Sequence, residues 1–454
     1  MSYSSFIKNI YYPITQKIKG QNVIKYFEEL KKNEYKPIEE LKQLQFRRLK
    51  YIIDSAYRNV PYYQETFKQY SFHPDDLQKP EDIKNLPILD KEDIIRNFNR
   101  LINRNYKGKI YFCKTSGSTG IPLKFYVSNE YDSWDWASRW RGRSWFNIKI
   151  GDPEVAIWGR HIHSPIKRII DPLKALIRNT LLISGFEYTK QDLKKYTRRI
   201  NSFNPVYIYG YSNSIYNLAL FYKKNNIPAP SRLKAIFVTA EMLFPNERAL
   251  VESTFNVPVA NEYGCSELGG FAYECPHGNW HVSIENVFLE FIQNELGFKE
   301  IVATSLTNIY MPFIRYRVGD IGDWIDTKCS CGRTLPIMKL DFGRITEVII
   351  MKNGDRFSSK IFGYVSKELF EMGKHPFIQY QIIQNEPSSF IIYYVPSDSF
   401  KQEDLNIFSK LVYKYLKTNQ IKIEYIPVKN INPDPSGKIR YFISRLKSEE
   451  ITGT

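Results

Sequence analysis

From about Ile110 onward, short β-rich runs alternate with helix-length segments, and this alternation narrows the available folds more than any other feature. Val206-Tyr-Ile-Tyr-Gly reads as a strand and Ser212 to Tyr222 as a helix. Leu233 to Thr239 is again strand-like, Asn246 to Phe255 helix-like, and Val257 to Gly264 closes the run. Strands separated by helices return in the same direction, so the pattern predicts βαβ units and a largely parallel sheet. Ahead of it, Leu41, Leu44, Leu49, Ile52 and Ile53 keep helical spacing within Asn22–Asn59, and Pro61 ends that pattern. After it, Glu347–Lys352, Phe377–Gln384, Ser389–Val395 and Lys422–Ile426 read as strands, and Ser359–Glu371 and Asp404–Lys417 as helices. That group is large enough to be its own α+β domain. The expected fold is α/β: a large N-terminal domain, residues 1–343, with mixed or parallel sheets and flanking helices, and a small C-terminal domain, residues 344–454.

Composition excludes several classes. Hydrophobic residues make up 43% of the 454 and aromatic residues 15%, too many for a disordered chain. No block of five or more like charges occurs, although the formal net charge is +16. The surplus favours an anionic partner or is a plain lysine-rich surface, and its scatter weakens nucleic acid as that partner. Five cysteines do not make a disulfide framework in a chain of this length. With no signal-like start and no apolar run of about 18 residues, a cytoplasmic location is expected.

Five segments carry chemistry. Lys114-Thr-Ser-Gly-Ser-Thr-Gly-Ile-Pro-Leu-Lys124 joins two strand-like runs, Ile110–Cys113 and Leu123–Val127. Gly117 and Gly120 allow close backbone approach, and successive N–H groups with the hydroxyls of Ser116, Ser118 and Thr119 make an anion nest. By itself this loop equally fits an ordinary hairpin, and it lacks the ending of a Walker A loop. Asn261-Glu-Tyr-Gly-Cys-Ser-Glu267 ends a strand, where ligands of open α/β sheets bind. Tyr263 offers a ring face, Ser266 a hydroxyl and Glu267 a carboxylate suited to Mg²⁺. Phe313-Ile-Arg-Tyr-Arg-Val-Gly-Asp320 sets an aspartate beside a glycine turn, able to accept from two vicinal hydroxyls. Asp341-Phe-Gly-Arg344 falls at the domain boundary, and Asn432-Pro-Asp-Pro-Ser-Gly-Lys438 puts a lysine in a loop able to reach across a cleft.

In this order the five segments resemble the adenylate-forming superfamily, and within it the phenylacetate–coenzyme A ligase branch with its CapK-like capsular polysaccharide relatives. Ile10-Tyr-Tyr-Pro and Asn59-Val-Pro-Tyr-Tyr add to a resemblance that covers nearly the whole chain. It implies ATP-dependent activation of a carboxylic acid as an acyl-adenylate, with pyrophosphate released. The acyl group then passes to coenzyme A or to an amine on a sugar or amino acid, in surface polysaccharide biosynthesis. It further implies that Ser116, Gly117, Ser118, Thr119, Gly120 and Lys124 hold the ATP phosphates. Tyr263, Gly264 and Glu241 would line the adenine site and Asp320 would bind ribose. Ser266 would touch the α-phosphate, Glu267 would bind Mg²⁺, and Arg344 would approach ribose or phosphate. Lys438, on a small domain that rotates between half-reactions, would bridge carboxylate and α-phosphate. Thr346 stands where the family often has an acidic hinge residue. The branch often dimerises.

Cys275-Pro-His277-Gly and Cys329-Ser-Cys331-Gly look like two zinc knuckles, and Cys₃His suits a structural Zn²⁺. His281 is the rival to His277. Trp134, Trp136, Trp140 and Trp145 with Arg139, Arg141 and Arg143 read as a half-buried helix rather than a stacking site. His161 and His163 border the acyl site or a surface loop, and Pro165–Ser184 fits a surface helix or contact with an acidic membrane. Cys113 and Cys265 read as packing residues. Two further functions are open. One is an adenylyltransferase of the coenzyme F390 synthetase type. The other is a basic, zinc-containing nucleic-acid-binding protein, which leaves the ordered phosphate, ribose and lysine motifs without a role.

Overall fold

A computed structural model describes residues 3–115, 123–158, 175–185, 190–241, 243–293, 298–342, 348–359, 361–374, 376–432 and 440–446. β1 (Ile110–Lys114) and β2 (Lys124–Ser128) form an antiparallel hairpin. β3 (Glu154–Trp158), β4 (Thr180–Ser184), β5 (Tyr207–Tyr211), β6 (Ala235–Thr239) and β7 (Val259–Cys265) pair in parallel, in the order β4-β3-β5-β6-β7. The helices Lys190–Phe203, Ser212–Lys224 and Pro245–Phe255 make the crossovers from β4 to β5, β5 to β6 and β6 to β7. Strands so covered lose their polar face, and β5 and β6 are buried nearly end to end.

The same sheet continues antiparallel. β8 (Gly269–Glu274), β9 (Trp280–Val282), β10 (Val287–Gln293), β11 (Lys299–Ser305), β12 (Tyr316–Ile325) and β13 (Ile337–Phe342) follow β7 in the order β8-β9-β13-β12-β11-β10. The sheet is therefore mixed, and parallel only from β4 to β7. Beyond β7 the connections are too short for crossover helices, so each strand reverses on its neighbour.

The C-terminal residues build two further sheets. β14 (Val348–Ile350) pairs with β15 (Arg356–Ser358), and β16 (Phe377–Glu386), β17 (Ser389–Pro396), β18 (Lys422–Pro427) and β19 (Phe442–Ser444) run in the order β18-β17-β16-β19. Phe362, Val365, Phe408 and Val412, from helices Ile361–Glu371 and Glu403–Leu416, pack with Ile382, Phe390 and Ile392 into a separate core. The expected boundary after residue 343 lies outside the described residues.

The helix Asn129–Ser144 ties the N-terminal helices to the sheet. Ser128 caps it, its hydroxyl accepting the Tyr131 N–H at 3.1 Å. Trp134 stacks on Tyr26 at 4.0 Å, with the Arg48 guanidinium 4.0 Å from the Trp134 ring. Arg141 is buried with Glu285, at 2.9 Å and 3.3 Å, and donates to Ser283 Oγ at 2.7 Å. Arg143 is buried against Glu262 at 3.0 Å. The tryptophan–arginine run is thus a half-buried helix, as its spacing indicated, with Trp134, Trp140, Arg141 and Arg143 in the core and Trp136 exposed.

Candidate active site and metal centre

The carboxyl ends of β5, β6 and β7 meet at one edge of the parallel half, where such sheets place their ligands. Tyr263 and Glu267 lie at the end of β7 and its turn. A Cβ at Gly264 would collide with the Gly269 carbonyl and the Gly270 Cα, so the turn requires glycine there. The Ser266 carbonyl accepts the Tyr131 hydroxyl at 3.3 Å, and the Asp135 carboxylate accepts the Gly270 N–H at 2.7 Å. The helix Asn129–Ser144 therefore holds this turn from below.

Two tyrosine–carboxylate hydrogen bonds join this segment to β12. Tyr263 donates to Asp320 Oδ2 at 2.7 Å, and Tyr316 donates to Glu267 Oε1 at 3.0 Å. The second and third sequence motifs therefore converge, bringing together Tyr263, Asp320 and Glu267. Tyr316, which holds the Glu267 carboxylate, is a residue that sequence reasoning passed over. The arginines around it are structural. Buried Arg315 forms a forked pair with Glu290 at 3.0 and 2.9 Å and donates to the Lys84 carbonyl at 3.1 Å. Arg317 pairs with Asp90 at 2.7 Å.

Glu241 follows β6. Its Oε2 accepts the Asn213 N–H at 3.1 Å, and its carbonyl accepts the Ser212 hydroxyl at 3.0 Å. Tyr441, three residues beyond Lys438, donates to Glu247 Oε1 at 2.8 Å and meets Phe244 edge-on at 5.1 Å. Burial pushes the Glu247 carboxyl up to about 7, partly offset by the Phe244 N–H and the Tyr441 hydroxyl. The C-terminal segment is thus pinned to the β6 side of the large sheet. Lys124 is exposed, opposite Lys114 at the base of the β1–β2 hairpin, which Thr115 and Leu123 close with two hydrogen bonds of 2.9 Å. Ser116 to Gly120, His161, His163, Arg344 and Lys438 lie outside the described residues. Cys113 and Cys265 are partly covered, and burial raises both thiols, so neither is an activated nucleophile.

A cluster of four residues able to ligate a metal differs from the expected set by one residue. The ligand atoms of Cys275, His281, Cys329 and Cys331 lie within 4.8 Å of one another. Cys275 Sγ is 3.7 Å from Cys329 Sγ, and Cys331 Sγ is 3.2 Å from His281 Nε2. A tetrahedron with bonds of ~2.3 Å has sulfur–sulfur edges of about 3.8 Å, so the spacing fits Zn²⁺. His277 is exposed and bonds the Ser330 hydroxyl at 2.8 Å, so it is not the fourth ligand. The chain reverses at Gly278, φ +76°, leaving His277 at the tip and carrying His281 back along β9. His281 Nδ1 lies 3.0 Å from the Leu335 carbonyl, a partner that fixes the Nδ1–H tautomer and aims Nε2 at the thiols. Burial lowers the His281 pKa, which favours the neutral, ligating ring. Gly332, φ +79°, makes the matching turn after Cys331. With four protein ligands such a site is structural. Purified protein is expected to carry one zinc per chain by elemental analysis, and Cys329→Ser to lose it. At free zinc 1,000-fold above Kd the ion would add about 4 kcal/mol of stability. A metal-free protein with unchanged melting would remove the site.

With this geometry in view, known proteins define a class. The fold is that of adenylate-forming ligases: the structure of 2-hydroxyisobutyryl-CoA ligase in complex with 2-HIB-AMP aligns with TM-score 0.73 at 17% identity, covering 93% of this chain and 92% of that one. Within that class the chain is a relative of CapK and of the phenylacetate–coenzyme A ligases. Protein CapK of Staphylococcus aureus is 28% identical over 455 residues, 95% of this chain and 96% of its own length. The phenylacetate–coenzyme A ligase of Pseudomonas putida is 26% identical over 343 residues, 72% of this chain and 76% of its own. Residues 355–445 match the CapK C-terminal domain family. Among the described residues no helix is long and apolar enough to cross a membrane.

Proposed function

We propose that this chain is an AMP-forming acid ligase, activating a carboxylic acid with ATP and passing the acyl group to coenzyme A or to an amine. The observation that carries the reading is the convergence of Tyr263, Glu267 and Asp320 at the carboxyl end of β7. A carboxylate is a poor acyl donor because its leaving group would be oxide. In the first half-reaction its oxygen attacks the α-phosphorus of ATP, the bond to the β-phosphate bridging oxygen breaks, and pyrophosphate leaves. In the second, a thiolate or amine attacks the acyl carbon and AMP departs.

Each residue has a place in this scheme. Asp320 accepts the ribose hydroxyls, and the Tyr263 ring flanks adenine beside Glu241 and Gly264. Glu267 would hold Mg²⁺, which offsets triphosphate charge, and Ser266 lies against the α-phosphate. The loop from Ser116 to Gly120, with Lys124, cradles the outer phosphates. Lys438 enters on a mobile C-terminal domain, residues 344–454, with Arg344 at the hinge. The likeness to CapK supports an acceptor from surface polysaccharide assembly.

ATP–pyrophosphate exchange across a panel of carboxylic acids tests the reading. Acid-dependent exchange is expected. No exchange with any acid, together with salt-sensitive RNA or DNA binding, would replace it with a nucleic-acid-binding role. Tyr316→Phe removes one hydrogen bond to Glu267, about 1 kcal/mol, or roughly fivefold in kcat/KM for ATP. Unchanged kinetics would mean that Tyr316 does not orient Glu267.

A further inference from the structure

Large exposed apolar side chains cluster on the N-terminal helical segment Tyr3–Lys19, which includes a π turn at Ile7–Tyr11. Tyr3, Phe6, Ile10, Ile14 and Ile18 are 50%, 40%, 40%, 53% and 72% exposed. From Phe6 to Ile18 they recur every fourth residue, which makes one outward row. Ile7 and Gln16 are buried, and Tyr12 accepts from the Trp140 indole at 3.1 Å, so the opposite face is docked. At one end Tyr3 donates to the Ile177 carbonyl at 2.9 Å, beside exposed Leu176 and Ile177. At the other, Lys109 caps the Ile18 carbonyl at 3.0 Å.

The charge of this row is predominantly positive, with Asp132 of the helix Asn129–Ser144 the acid that faces it, beside Lys19. No acidic residue occurs between Tyr3 and Phe27, while Lys8, Lys17, Lys19 and Lys25 are all exposed. Arg178 and Lys109 extend the basic rim at its two ends. A contiguous apolar row rimmed by cations is an interaction surface rather than scattered exposure.

We propose that the segment Tyr3–Lys19 docks flat on an anionic lipid bilayer. Phe6, Ile10, Ile14 and Ile18 would enter the headgroup boundary while Lys8, Lys17, Lys19 and Arg178 meet lipid phosphates. Charge complementarity selects this occupant. Two-fold pairing of the same face would bring Lys8, Lys17 and Lys19 of both copies together, with only Asp132 beside Lys19 to offset them. The row also protrudes from a convex helix, a shape suited to a soft phase that needs no matching groove.

Co-sedimentation of the full chain with vesicles tests the proposal. Binding is expected to phosphatidylcholine vesicles containing about one-third phosphatidylserine, and to fall at least about tenfold on pure phosphatidylcholine or in high salt. The triple variant Phe6→Ser/Ile10→Ser/Ile14→Ser should lose binding. Lys17→Glu/Lys19→Glu, which keeps the apolar row intact, should weaken it about tenfold or more. All these side chains are exposed, so circular dichroism melting should match the parent. Failure of the parent to bind anionic vesicles overturns the proposal, as does equal binding by the serine variant. A solution dimer that the serine substitutions dissolve would assign the face to a second copy. Capture of an acidic protein without vesicle binding would assign it to that partner.

Discussion

Lys438→Ala is expected to slow acyl-adenylate formation by about 10²–10³-fold, equivalent to losing ~2.7–4 kcal/mol of transition-state stabilisation. Negative charge gathers on the attacking carboxylate and the α-phosphate as they meet, and no other group is positioned by the resemblance to bridge both. The second half-reaction, started from synthetic acyl-adenylate and acceptor, should stay within about threefold of the parent, because the proposed role of the lysine is confined to the first. Pyrophosphate exchange and acyl transfer, measured separately, give the split. An equal loss in both steps would make Lys438 a residue of folding or general binding. No loss in either would remove it from the chemistry. Tyr441 and Glu247 make a useful control: they anchor the chain next to the lysine loop without belonging to it.

The alternating elements between Val206 and Gly264 were legible because each obeys a local period, and β5, β6 and β7 with their helices fall where that period put them. The antiparallel continuation was not. Strand direction there depends on which strand pairs with which, and β13 inserting beside β9 joins residues more than fifty apart. His277 was favoured over His281 because ligand spacing was counted along the chain. The reversal at Gly278 decides the matter in space, and no local pattern announces which side of a turn a ring will face. Tyr316 was hidden for a similar reason. It sits inside a recognised motif, yet its partner Glu267 lies on another strand. Glycine-rich loops and terminal carboxylates advertise themselves in sequence, whereas the residues that orient them do not.

The largest effect on stability should come from Arg141→Ala, far from the proposed chemistry. Arg141 and Glu285 are both fully buried, and Glu285 also accepts from Asn33 at 3.3 Å while Ser283 accepts from the guanidinium. Removing the cation leaves a buried carboxylate without its direct ion-pair partner, since the neighbouring Arg48 donates to the Glu285 carbonyl rather than to the carboxylate, a loss of about 3–5 kcal/mol. Removing both charges is a different experiment. Arg141→Met/Glu285→Leu keeps apolar volume and deletes the desolvation penalty, so it should be near neutral or stabilising by about 1–4 kcal/mol. Denaturant midpoints for the parent, the two single variants and the double variant complete a cycle, and strong coupling is expected. A cost below about 1 kcal/mol for Arg141→Ala would mean that water reaches Glu285. The helix that carries Arg141 also carries Tyr131 and Asp135, which hold the β7–β8 turn through Ser266 and Gly270. Arg141→Ala should therefore weaken ATP binding as well, in proportion to the stability lost, whereas the double variant should restore both together.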